Sequence, residues 1–378
     1  MKKNNYSLRK FINDIHLWLG LASGIVLFLV CFSGTILTFD DEIKALFTDK
    51  VAIDASVSEK ASVASLIQTL EQSNQGYITG LTLPSNTDVP YEFSVKKDLK
   101  ERRGSQVLVN PYTSSVHSVE KTRADAFMMS MFKLHRWLLL DIAVGRPIVG
   151  IATIIFLVLA ISGIVLWFPK KIKWKTVKHG FKIKTNANWK RINHDLHNTL
   201  GFYACVFILI MGITGLCWSF EGYKDLLGRI MGTKIFDRTS TEFEIPKTAE
   251  NDIISIDEAL AIANTTLNYP GELSVSFPNK KNNYYTFRKS NDNNWSPVTR
   301  DNLYMSLNGT VLAVEWFKEK PLNVRVAALI KPLHTGEIYG QFSKIIYFLA
   351  CLIATSLPVT GTIIWIHKLK KKKKKKKL

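Results

Sequence analysis

The stretch Trp189–Gly222, WKRINHDLHNTLGFYACVFILIMGITGLCWSFEG, decides the fold. His194 and His197 stand at the entrance of a segment that stays apolar from Leu200 to Phe220, with Gly201 one turn beyond the second histidine. An imidazole at such depth is costly and calls for a partner.

The placement recurs. In HLWLGLASGIVLFLVCFSGTILTF, His16 stands 4 residues before Gly20 and 18 before Gly34, and His197 stands 4 before Gly201 and 18 before Gly215. Two further apolar segments carry a histidine farther out: His135 is 28 residues before Gly163, and His334 is 27 before Gly361. The chain therefore reads as a duplication, with each half built as helix, insert, helix and with one histidine at each membrane entry.

Four apolar runs, 15–39, 147–168, 198–220 and 343–366, each supply about 20 residues or more, enough to cross a hydrocarbon core of about 30 Å. The first lacks a small-residue cleavage site and reads as a retained helix rather than a signal peptide. The formal net charge is +19. Residues 1–10, 169–197 and 367–378 carry 4, 9 and 9 Lys or Arg. Inserts 40–146 and 221–343 carry 13 and 14 basic against 14 and 15 acidic residues, so both are nearly neutral. That asymmetry puts both termini and the loop after Pro169 on the cytoplasmic side and both inserts outside. It excludes nucleic acid as the partner and makes membrane lipid the partner of the lysine tail.

The fold class expected is an α-helical membrane protein of four transmembrane helices in two tandem repeats, each with an external α+β insert. The segments are 1–39, cytoplasmic arm and first span; 40–130, first insert; 131–170, an outer interfacial segment and the second span, beginning near Pro147; and 171–197, a basic cytoplasmic loop. The third span follows at 198–220, the second insert at 221–333, the fourth span at 334–367 and the lysine tail at 368–378. Within the inserts, SVSEKASVASLIQTLEQ reads as an amphipathic helix capped by Ser56 or Ser58, and SIDEALAIANTTL as a second helix. GYITGLTL, YEFSVKK, SQVLVNPYTSSVHSVE, LSVSFP, NYYTFRK, NLYMSLN and TVLAVEW alternate as strands, the last two turning at Asn308-Gly309. Each insert is expected to form its own small sheet. Trp18, Trp167, Trp218 and Trp365 read as interfacial belts.

Cys31, Cys205, Cys217 and Cys351 lie in apolar helices without C-x-x-C or C-x-x-C-H, which excludes a disulfide framework and covalently attached haem. No P-loop, G-x-S-x-G or H-E-x-x-H occurs. His117, His179 and His367 read as solvated or interfacial. The other histidines form matched pairs: His16 with His197 at the cytoplasmic end, with His194 in reserve, and His135 with His334 at the external end. Helix-borne pairs facing across a bundle suit axial ligation of haem b, one per pair, and Gly20 and Gly201 leave room for the ring. The alternative is that the imidazoles only bond carbonyls or cap helices. Zinc, with His194, His197 and the adjacent Asp195 as its one cluster, fits less well.

The set LHRWLLLD with GRPIVG and SGIVLWFPKK, NHDLHNTLGFY with TGLCWSFEGY, and LHTGEIYG with TGTIIWIHK resembles the PepSY-associated transmembrane proteins, iron-regulated inner-membrane proteins that include siderophore reductases. VLVNPYTSSVHSV is similar to a PepSY strand turn; the second copy, YMSLNGTVLAV, lacks the proline. The resemblance implies a multi-pass protein of the bacterial cytoplasmic membrane that passes electrons through haem to a periplasmic ferric siderophore. It carries haem ligation onto His16, His135, His197 and His334. Some relatives carry a fused flavodoxin-like module, which leads us to expect a separate donor here, quinol or a flavoprotein. The competing expectation is a membrane-anchored PepSY module that binds or restrains a peptide or protein partner without redox chemistry.

Overall fold

The computed structural model describes residues 7–376 apart from 49–50, 52, 54–58, 74–75, 102–103, 171, 237–242, 246–251, 281 and 297. The chain divides into a helical unit, 1–44 with 123–235 and 327–378, and a sheet unit, 45–122 with 236–326.

Among the described residues the helical unit contains four helices long and apolar enough to span a membrane, within Leu8–Leu37, Ile142–Trp167, Trp189–Ser219 and Glu337–Lys371. They form α1 (Leu8–Leu37), α4 (Ile142–Trp167), α5 (Trp189–Ser219) and α8 (Gly340–Lys376). Around the bundle α1 packs on α4, α4 on α5, α5 on α8 and α8 on α1. Lipid tails are as apolar as leucine, so such a bundle is held by close packing and interhelical polar contacts. Thr35 Oγ1 lies 3.2 Å from Thr355 Oγ1 between α1 and α8, and Cys205 Sγ lies 3.7 Å from the Ala160 carbonyl between α5 and α4. A shorter helix α3 (Arg123–Trp137) packs on α1 and α4, and α7 (Ile330–Thr335) packs on α5.

Two boundaries differ from the sequence expectation. Helix α4 starts at Ile142, not Pro147, because the Asp141 side chain accepts from the Ala143 N–H at 2.8 Å and caps it there. Leu138 and Leu139 both take positive φ, +57° and +59°, reversing the chain between α3 and α4. Gly145 is fixed by that reversal, since a Cβ there would lie 1.9 Å from the Trp137 carbonyl oxygen. Helix α5 starts at Trp189, well before residue 198, with Asn188 as its cap; Leu196–Leu200 form a π-helical turn within it. The basic loop is therefore shorter than 171–197.

In the sheet unit one antiparallel sheet runs in the order β4-β3-β2-β1-β5-β6-β7-β8. The strands are β1 Tyr77–Leu83, β2 Tyr91–Lys96, β3 Ser105–Val109, β4 Val116–Ser118, β5 Gly271–Ser276, β6 Tyr284–Asn291, β7 Asp301–Ser306 and β8 Val311–Glu315. The separate sheets expected of the two inserts are thus one. An isolated four-stranded sheet would leave β1 as an unpaired edge, and pairing with β5 satisfies it. Leu81 pairs with Val275 and Thr82 with Ser274. Gly80 allows the approach: a Cβ there would lie 2.8 Å from the Val275 carbonyl oxygen.

Helices α2 (Val63–Gln72) and α6 (Ile256–Thr266) pack with strands from both inserts around one core, in which Leu66, Phe93, Phe287, Leu303 and Met305 are fully buried. The Asp257 carboxylate of α6 accepts from the Val63 N–H at 2.7 Å and the Ala64 N–H at 3.0 Å, so one insert caps the helix of the other. Ser62 completes that cap; Ser56 and Ser58 lie outside the described residues. Ser255 and Glu258 form a capping box on α6.

Candidate functional site

The four histidines that recur in the sequence meet in two pairs. His16 of α1 and His197 of α5 have ring centres 6.3 Å apart at 90°. His135 of α3 and His334 of α7 have ring centres 6.1 Å apart at 56°.

Each ring lies against a glycine of a different helix. A Cβ on Gly163 would stand 3.5 Å from His16 Cε1, and one on Gly361 would stand 3.2 Å from His197 Cε1. For the other pair the distances are 3.0 Å from Gly34 to His135 Cε1 and 2.9 Å from Gly215 to His334 Cε1. Gly20 and Gly24, by contrast, face Leu159 and Pro358 at 3.8 Å, ordinary contact. His16 and Gly34 are 18 residues apart on α1, roughly 27 Å along the axis at about 1.5 Å per residue. The two pairs therefore sit toward opposite ends of the bundle.

Each ring is held through Nδ1. Ser162 Oγ also lies 3.1 Å from the Leu159 carbonyl, and Thr360 Oγ1 lies 3.0 Å from the Ser356 carbonyl. His16 Nδ1 lies 2.9 Å from Ser162 Oγ and His197 Nδ1 lies 2.9 Å from Thr360 Oγ1; with the hydroxyl proton on the carbonyl, the ring N–H is the donor. His135 Nδ1–H donates to the Val30 carbonyl at 2.8 Å and His334 Nδ1–H to the Met211 carbonyl at 2.9 Å. In all four rings Nδ1 is tied to protein; the carbonyl partners of His135 and His334 require Nδ1–H there, which leaves the lone pair on Nε2. A metal-ligating histidine has the same arrangement, its second nitrogen donating to a carbonyl or hydroxyl that fixes the ring.

The π turn Leu196–Leu200 carries His197. Such turns shift the helical register and are frequent at functional sites. Asn193 is 1 % exposed, donates to the Thr360 carbonyl at 3.0 Å, and leaves its own Oδ1 without a partner among the described residues. His194 stands apart from the pair. Its ring is about half exposed, with Nδ1 3.5 Å from Asp195 Oδ1, and Asp195 accepts from Arg191 Nε at 2.9 Å. His197 is therefore the residue of the two that faces His16.

A cavity of about 380 Å³ lies between His16 and His197. Leu27, Phe156, Leu159 and Ile208 line its interior, Gly20 and Gly201 its walls, and Arg9, Asn13, His194 and Lys368 its polar end. Trp167, expected at a membrane interface, is instead buried beside it, stacked on Phe202 at 4.0 Å with its Nε1–H directed at the Gly180 carbonyl at 3.3 Å. At the other pair, the Trp218 ring stands 5.2 Å from His334, and Arg136 lies over the Phe132 and Trp137 rings. Tyr284 and Tyr285 are buried in the sheet unit.

Among the described residues no three His, Cys, Asp or Glu side chains converge as a metal cluster, and His194, His197 and Asp195 do not form one. A hydroxyl residue precedes each glycine that meets a histidine, at Ser33-Gly34, Ser162-Gly163, Thr214-Gly215 and Thr360-Gly361; Ser162, Thr360 and Thr214 touch a ring Nδ1, the last at 3.2 Å from His334, whereas Ser33 bonds the Leu29 and Val30 carbonyls of its own helix.

A helical membrane unit of this kind, interrupted by sheet-forming inserts, defines the class. The family model of the PepSY-associated TM region matches residues 14–368, and the chain belongs to that family. No curated protein matches the chain.

Proposed function

We propose that this membrane protein holds two haem b groups, one between His16 and His197 and one between His135 and His334, and conducts electrons across the bacterial cytoplasmic membrane to a ferric siderophore outside. The observation that carries the reading is the two pairs of facing imidazoles, 6.3 and 6.1 Å between centres, each ring with Nδ1 already hydrogen-bonded to the protein. Two imidazoles bound in line to one metal stand about 6 Å apart between ring centres, from metal–nitrogen bonds of about 2 Å and about 1 Å from nitrogen to ring centre. Among the described residues a bare divalent ion would find two ligands in either place; a porphyrin brings four of its own.

The matched acceptors, Ser162 with Thr360 and the Val30 with the Met211 carbonyl, support a duplicated architecture, each half contributing one histidine to each pair. A haem held by the two imidazoles of a pair would supply one-electron Fe(III)/Fe(II) exchange. The protein's part is to fix the imidazoles, exclude water and set the potential through the Nδ1 bonds. The charge asymmetry of the sequence puts His16 and His197 at the cytoplasmic face, where a quinol or flavoprotein would deliver electrons. Fe(III) is held by hard oxygen donors far more tightly than Fe(II), so one electron releases the iron. Dithionite-reduced protein mixed with a ferric hydroxamate should reoxidise stoichiometrically, with Fe(II) trapped by a ferrous chelator; reduced bands that persist in excess chelate would refute the reductase reading.

A further inference from the structure

We infer that Lys368 binds the propionate carboxylates of the haem at the His16–His197 site, so that this cavity selects a flat apolar body with an anionic edge. The inference rests on the haem reading above and adds the orientation of the ligand.

The cavity is amphipathic in one direction. Its interior is made of leucine, isoleucine and phenylalanine side chains, and its basic groups, Arg9 and Lys368, stand at one end. Lys368 follows Gly361 by seven residues on α8, two turns along the same face as the glycine on which His197 packs. Arg9 is already committed: its guanidinium donates to the Leu166 carbonyl at 2.7 Å and the Phe168 carbonyl at 2.8 Å, satisfying the orphan end of α4. Arg9 therefore contributes a fixed positive field at the mouth. His194 shares the rim but stands beside the Asp195 carboxylate, which disfavours a second anion. Lys368 is exposed, has no hydrogen-bond acceptor among the described residues, and keeps a flexible four-carbon stem. Of the cations that line the cavity, it is the one free to meet a ligand carboxylate.

The test uses the full chain carrying His135→Ala, so that only the His16–His197 site titrates, purified without haem and titrated with protohaem and with haem dimethyl ester, which lacks the carboxylates. Lys368→Gln should weaken protohaem binding about fivefold, the range of a solvent-exposed ion pair, and leave the dimethyl ester unchanged. Lys368→Arg should restore protohaem affinity, and Lys370→Gln, which removes the same charge away from the cavity lining, should change neither. Equal loss for both ligands, no loss for either, or an equal effect of Lys370→Gln would overturn the inference while leaving the haem reading intact. Failure of the parent protein to bind either ligand would overturn the haem reading itself, and this inference with it.

Discussion

Gly215→Ala is the perturbation that the geometry grades most sharply. The added methyl would stand 2.9 Å from His334 Cε1 and 3.4 Å from its Nδ1, inside normal contact. The ring has nowhere easy to go, because Nδ1–H is held by the Met211 carbonyl at 2.9 Å and Trp218 packs at 5.2 Å. Relief requires turning the imidazole out of line with His135, at an overpacking cost of about 1–3 kcal/mol. Expressed as haem affinity, that is a loss of roughly 5- to 150-fold at the His135–His334 site. Gly163→Ala is the internal control, its methyl standing 3.5 Å from His16 Cε1, ordinary van der Waals contact. Haem per chain by pyridine haemochrome, with thermal unfolding in detergent, reads both variants. Gly215→Ala should drop from two haems toward one, and Gly163→Ala should keep both. Equal haem content in the two variants, or a greater loss from Gly163→Ala, would refute the packing argument.

Removing the Nδ1 acceptors with Ser162→Ala and Thr360→Val should weaken haem at the His16–His197 site by about tenfold without unfolding the bundle, seen as haem transfer to apomyoglobin. Asp257→Ala removes a cap that one insert supplies to the other and should cost about 1–2 kcal/mol in denaturant unfolding of the sheet unit, without changing haem content. Hydrogen bonds from the Ser255 backbone N–H and then its hydroxyl hold Glu258 below its ordinary value of 4.5. That stabilisation is present above pH 4.5 and is lost as pH falls through the lower folded-state value, so Glu258→Gln should flatten the acid side of the unfolding curve.

The spans and strands were legible because apolar runs of this length and strict alternation are local signals. The histidine pairing was legible in the matched intervals from His16 to Gly34 and from His197 to Gly215. What the intervals could not carry was which glycine each ring meets. His16 lies against Gly163 and His135 against Gly34, a crossing that depends on how α1 packs with α3 and α4. The join of β1 to β5 was equally hidden: it pairs residues nearly two hundred positions apart, and nothing near Gly80 marks the partner strand. Pro147 misled because proline is favourable near a helix start, while the actual cap, Asp141, lies behind two left-handed leucines that no local pattern announces. Trp167 carries an ordinary belt signature, and only the packing of Phe202 and the Gly180 carbonyl draws it inward.

The most direct test of the account is the haem count of the purified full chain and of two single variants, His197→Ala and His334→Ala, by reduced-minus-oxidised spectrum and haemochrome. Two haem b per chain in the parent, and one in each variant with distinguishable remaining spectra, is the predicted result. No b-type bands in the parent from haem-replete cells, or loss of both haems from either single change, would contradict it.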